Sequence, residues 1–284
     1  MAYLFIILSA ACSISIAHLL KLTEVKKLRT LNTLTINYLI AFIIAFVWGS
    51  LKTNGSAIIP GILLAGFCLI VGVFFITNFI AYSKSVHTNG VGVTITAMRL
   101  SLLVPILLSV YIYDEFLTPI KTGGVVLVFV ALILLIPKRS NIKVGKINAG
   151  WLLLIIFILT GFADASLKIY EEEFRTSMNE SLFMAMIFFA AFLIGLTACI
   201  FRKGELVKVE EFKLGFLIGI PNLFSAIFLI YALQDISGSI AYPLVNMLSV
   251  AGGTALGLLR WKDTVSPLQW AGLAIALTAI IILV

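Results

Sequence analysis

Charge is what this sequence has least of. Only 12% of its 284 residues are Asp, Glu, Lys or Arg, about half of the roughly 25% that a soluble domain uses to face water. Two histidines and three cysteines are too few for a metal cluster. Cys12, Cys68 and Cys199 lie inside apolar runs, so they read as small packing residues rather than disulfide or metal partners. No Walker A stretch, HExxH, acidic metal-binding cluster or GxSxG with supporting partners occurs, so no cofactor or metal is expected and ATP is not used directly. Asp164 is the only acid well inside the expected hydrocarbon region, which leaves an intramembrane enzyme without paired carboxylates. No ring of charges or carbonyls suggests a channel.

What is abundant is apolar: 61% of the chain, gathered in ten blocks. They run approximately 2–20, 32–50, 58–82, 90–113, 118–137, 149–169, 181–201, 214–233, 238–259 and 266–284. About 20 apolar residues cross a ~30 Å hydrocarbon core as a helix, and backbone in lipid must satisfy its own hydrogen bonds. The alternating short strands of a barrel are missing. The expectation is an all-α polytopic membrane protein of ten transmembrane helices. The first block has no basic run before it and "HLLKLTEVKKLRT" after it, so it reads as a retained helix rather than a cleaved signal.

The net charge of +7 does not point to nucleic acid, because the bases sit in short loops between apolar blocks. Odd-numbered loops hold fifteen Lys and Arg, among them Lys26, Arg29, Lys138, Arg139, Arg202 and Lys208. Even-numbered loops hold four: Lys52, Lys121, Lys168 and Arg175. The positive-inside rule then puts the odd loops in the cytoplasm and both termini outside, in a bacterial inner membrane.

The chain divides near residue 145 into halves of five helices, 1–140 and 147–284. Tyr82 in "NFIAYSKSVHTNG" superposes on Tyr231 in "FLIYALQDISGS". "DEFLTPIKTGG" superposes on "KDTVSPLQWAG", pairing Thr118 with Ser266, Pro119 with Pro267 and Gly124 with Gly272. Lys21 falls on Lys168. An odd number of crossings per half makes two consecutive repeats inverted, an architecture of secondary transporters whose substrate site lies near the midplane.

The segment "VPILLSVYIYDEFLTPIKTGGVVLVFVALILLIP" resembles the ten-helix, EamA-like members of the drug/metabolite transporter superfamily, with Pro105, Glu115, Gly123 and Gly124 matching. Asp114 stands where that family has Gly; in the second half Gly253 replaces the helical Pro, and Asp263 replaces Glu. The resemblance covers nearly the whole chain. It implies transport of small organic metabolites, often export of amino acids and related compounds. It also implies cytoplasmic termini, opposite to the loop count, and the fifteen-to-four bias is preferred here. The four-helix cationic-drug antiporters of the superfamily use a carboxylate in the first helix, which this chain lacks.

Ionisable residues in a bilayer cost roughly 2.5–3.5 kcal/mol on insertion scales, so they face a cavity or a partner. Arg99, mid-helix in "VTITAMRLSLL", offers a planar five-donor fork to an anion, or a permanent pair with Asp164. Asp164 is a candidate proton carrier, or an i,i+4 partner of Lys168. His18 is a ligand candidate or a packed interfacial residue. Gly72 superposes on Pro221, and matched interruptions point toward a transporter site. Asn78, Thr96, Asn222, Tyr242 and Asn246 supply polar groups at these levels, as cavity lining or as interhelical glue. The "GTALG" stretch from Gly253 reads as close packing within the bundle. The expected protein is a monomer or homodimer that exchanges a carboxylate-bearing solute, with proton coupling possible. A cationic drug/proton antiporter using Asp164 is the alternative.

Overall fold

Backbone that cannot bond to water closes on itself as helix, and the apolar blocks do so throughout. The computed structural model describes residues 1–53, 60–89, 91–135, 149–201, 207–262 and 265–284. Asp263, the loop bases Lys138, Arg139, Lys143, Lys146, Arg202 and Lys203, and the junction between the sequence halves lie outside them. Among the described residues the regular structure is all helical: α1 (Ala2–Val25), α2 (Thr30–Lys52), α3 (Ile62–Asn89), α4 (Val91–Leu100), α5 (Leu103–Tyr111), α6 (Pro119–Leu134), α7 (Gly150–Ile169), α8 (Glu180–Phe201), α9 (Val209–Leu233), α10 (Gly238–Leu256) and α11 (Pro267–Leu283). Wider π-turns follow α7 at Tyr170–Phe174 and α10 at Gly257–Trp261. Eight helical spans are long and apolar enough to cross a membrane, α4 and α5 together making one, and α6 and α11 are shorter apolar helices. The chain is therefore a multi-pass membrane protein in composition and geometry.

Two compact units result, and they cut across the sequence halves. The first comprises Met1–Ile76 and Ile169–Ala232, the second Thr77–Lys168 and Leu233–Val284.

In the first unit α2 packs on α8. The contact is reciprocal. A Cβ on Gly49 would lie 2.7 Å from Leu182, and one on Gly195 would lie 2.7 Å from Thr35. Small residues let helices approach where no hydrophobic force drives them together. Aromatic rings fill the rest: Tyr38 stacks on Phe188 at 6.0 Å and Tyr170 on Phe183 at 4.2 Å. Two polar clusters tie this unit. Glu211, fully buried, accepts from Arg29 Nε at 2.8 Å, Arg29 Nη2 at 3.0 Å and Asn32 Nδ2 at 3.1 Å. Lys52, Glu180 and Tyr231 bond to one another. The first joins the loops before α2 and α9; the second joins the ends of α2 and α9 to the start of α8.

In the second unit α6 packs on α11 and α5 on α10. The α6–α11 contact is again reciprocal: a Cβ on Gly124 would be 3.0 Å from Leu283, and one on Gly272 would be 3.0 Å from Leu135. Both helices begin alike, with Thr118 and Ser266 accepting from the backbone N–H three residues on and Pro at the first helical position.

Two sequence expectations are corrected. Gly72 and Pro221 do not interrupt their helices, since α3 and α9 run through them. Gly72 is a packing point, where a Cβ would lie 2.8 Å from the Ile187 carbonyl oxygen. Gly253 is not a close contact, for a Cβ there would meet nothing within 4 Å.

Candidate functional site

The real interruption lies in the fourth span. Pro105 has no N–H to give the Ser101 carbonyl, its partner in a continuous helix. Val104 N takes that carbonyl at 2.9 Å instead, tightening the turn, and α4 stops at Leu100. Arg99 occupies the last turn of α4, where the helix dipole favours a cation. A Cβ on Gly161 would lie 3.0 Å from the Ser101 carbonyl oxygen and closer still to Val104, so α7 lies tight against the break. That approach brings Asp164, three residues on, into the electrostatic neighbourhood of Arg99.

Three levels of polar contact then run along one face of α10. At its start, Glu115 accepts from the backbone N–H of Gly238 at 2.7 Å and of Ser239 at 2.9 Å. Lys168 Nζ lies 3.1 Å from the same carboxylate, with both side chains largely buried. One turn on, the Tyr242 hydroxyl donates to the Asp164 carbonyl at 2.9 Å. Another turn on, Arg99 Nη1 donates to Asn246 Oδ1 at 3.0 Å, and Asn246 Nδ2 donates to the Tyr242 carbonyl at 3.2 Å, which holds the amide in place.

Of the eight residues expected at a site, six belong to this unit: Asn78, Thr96, Arg99, Asp164, Tyr242 and Asn246. Arg99 meets Asn246, and Tyr242 meets the backbone of Asp164. Asn78 accepts from Thr160 one turn before Asp164. Thr96 lies one turn before Arg99 on α4. The other two are in the first unit: Asn222 donates to the buried Asn37 at 3.1 Å, beside a Ser9–Ser13–Ser225 cluster, and His18 is half-buried in α1. Lys168 pairs with Glu115, because the helix start of α10 and Glu115 converge where Lys168 ends α7. Arg99 donates to the neutral Asn246 amide, and the Asp164 carboxylate attracts it as well.

Two shallow surface depressions, one lined by Phe212, Lys213, Phe216 and Leu217 and one by Trp48, Leu51 and Lys52, contain none of the eight. Among the described residues no three His, Cys, Asp or Glu side chains gather as a metal site would. Glu115, Lys168, Thr160 and Asn37 were not singled out as site residues from the sequence. Glu115 carried a signal as a match to the EamA-like pattern, and Lys168 as the repeat equivalent of Lys21.

No family model matches the chain. It is 27% identical over 288 residues to an uncharacterized protein of Haemophilus influenzae, across 97% of this chain and 95% of that one. A solved crystal structure, described only as that of a protein, is similar with a TM-score of 0.79 at 14% identity, covering 99% of this chain and 95% of that one, a likeness of fold.

Proposed function

We propose that this chain is a secondary-active transporter, working as an exporter of small carboxylate-bearing metabolites such as amino acids, by alternating access. The carrying observation is Arg99, which sits inside an apolar span with the neutral Asn246 amide as its hydrogen-bond partner among the described residues and the Asp164 carboxylate in its electrostatic neighbourhood. Its insertion costs about 2.5–3.5 kcal/mol. One hydrogen bond to a charged group returns about 1.5–3 kcal/mol. A guanidinium held by one neutral amide and the nearby Asp164 carboxylate, with further donors in a planar fork, suits an anion that comes and goes. Its positive field also disfavours a cation at Asp164, which weighs against the drug-antiporter reading.

Supporting the two inverted repeats, and with them membership of the drug/metabolite transporter superfamily, are the reciprocal contacts. Gly49 and Gly195 are 146 residues apart, their partners Thr35 and Leu182 147, and both Gly124/Gly272 and Leu135/Leu283 148. Self-complementary contacts of this kind are what a two-fold axis generates. Uptake of a panel of amino acids and organic acids into proteoliposomes, with and without a proton gradient, tests the reading. Accumulation of at least one anionic or zwitterionic solute is expected; none across the panel refutes it.

A further inference from the structure

We infer that Glu115 and Lys168 form a gate over the Arg99 site, an inference that rests on the transporter reading. The three levels of contact on α10 fall at Gly238/Ser239, Tyr242 and Asn246, on one helix face. At 1.5 Å per residue the Glu115 level lies about 11 Å nearer the membrane surface than the Arg99 level. A solute entering from the end that carries the α5–α6 and α7–α8 connections meets Glu115–Lys168 first.

The pair is built to separate in one step. Lys168 is 4% exposed and Glu115 10%. Charges so buried hold each other only while dry, and water reaching one hydrates both, so intermediate separations are disfavoured. Both partners also adjoin irregular backbone. Glu115 lies in the non-helical stretch between α5 and α6, next to Asp114 at φ 51, in the left-handed region. Lys168 precedes the π-turn at Tyr170. The hydroxyls of Ser109 and Ser239, buried at this level, have no hydrogen-bond partner among the described residues, so the closed arrangement leaves polar groups that opening would satisfy. Glu115 keeps two backbone N–H donors when Lys168 leaves, so the carboxylate is not stranded and α10 keeps its start.

The test needs no known substrate. Cys12, Cys68 and Cys199 are replaced by Ala and a reporter is introduced by Thr96→Cys, one turn beyond Arg99. The full chain is placed in proteoliposomes and its modification by a membrane-impermeant methanethiosulfonate is timed from each face. Lys168→Met should raise the rate from the Glu115 face about tenfold or more, while Lys168→Arg leaves it unchanged. If Lys168→Met does not purify as a monodisperse protein, Glu115→Gln/Lys168→Met removes both charges, keeps an acceptor for α10 and should show the same rise. A rate from that face equal to the parent's in both charge-removing variants overturns the gate. If the reporter then still reacts from the opposite face, the transporter reading stands without the gate. A reporter unreactive from both faces in every variant overturns both.

Discussion

Arg99 concentrates the chemistry of the second unit, and its value is measurable. Arg99→Ala should raise the KM for a carboxylate solute by about 10- to 100-fold, the loss of one charge-assisted hydrogen bond at about 1.5–3 kcal/mol. Arg99→Lys should recover only part, because an ammonium lacks the planar fork. Uptake kinetics in proteoliposomes check both, and an unchanged KM in Arg99→Ala removes the clamp. Glu211 is a contrasting charge, wholly engaged in structure: fully buried, it accepts from Arg29, Asn32 and the backbone of Lys208. Glu211→Ala should cost about 2–4 kcal/mol, discounted because Arg29 stays one-third exposed. Its melting temperature in detergent should fall, with substrate KM unaffected in the surviving protein. Sequence alone pointed to Arg99 because a lone base in an apolar run is locally conspicuous. It did not point to Glu211 or to the Glu115 partner of Lys168, since these sit at block ends, where charge is ordinary until a partner from far along the chain buries it.

At the scale of the helices, position within a contact outweighs residue type. Gly161 and Gly253 are both glycines in apolar helices, yet a Cβ on Gly161 meets Val104 and the Ser101 carbonyl while one on Gly253 meets nothing within 4 Å. Gly161→Ala should therefore destabilise by about 1–3 kcal/mol. Gly253→Ala should be neutral or stabilising by up to about 1 kcal/mol, as helix propensity alone dictates. Thermal shift in detergent separates the two. The break at Ser101–Leu102 follows the same logic. Pro105 removes one hydrogen bond, and α7 packing through Gly161 occupies the gap it opens. Pro221 removes one as well, yet α9 continues through it, so proline by itself did not reveal which span is interrupted. In the Gly253 stretch only the first glycine is open, while Gly257 is buried, so GxxxG spacing does not tell which of its glycines is packed.

At the scale of the whole molecule, the loops carry fifteen basic residues on one parity and four on the other. Both termini should lie outside. A reporter fused after Val284 that is active only in the periplasm would agree; a cytoplasmic signal would reverse the orientation and put the Glu115–Lys168 gate on the inner face. Helicity, multiple apolar spans and their approximate ends were determined by the sequence itself, because each depends on a local quantity: how many consecutive residues prefer hydrocarbon to water. The neighbours were decided only by tertiary structure. Arg99 finds Asn246, Lys168 finds Glu115, and the compact units take helices from both sequence halves. Those partners are tens to well over a hundred residues apart, and lipid offers no hydrophobic force to choose among helices. The choice falls to steric fit at glycines and to polar groups that must find each other away from water.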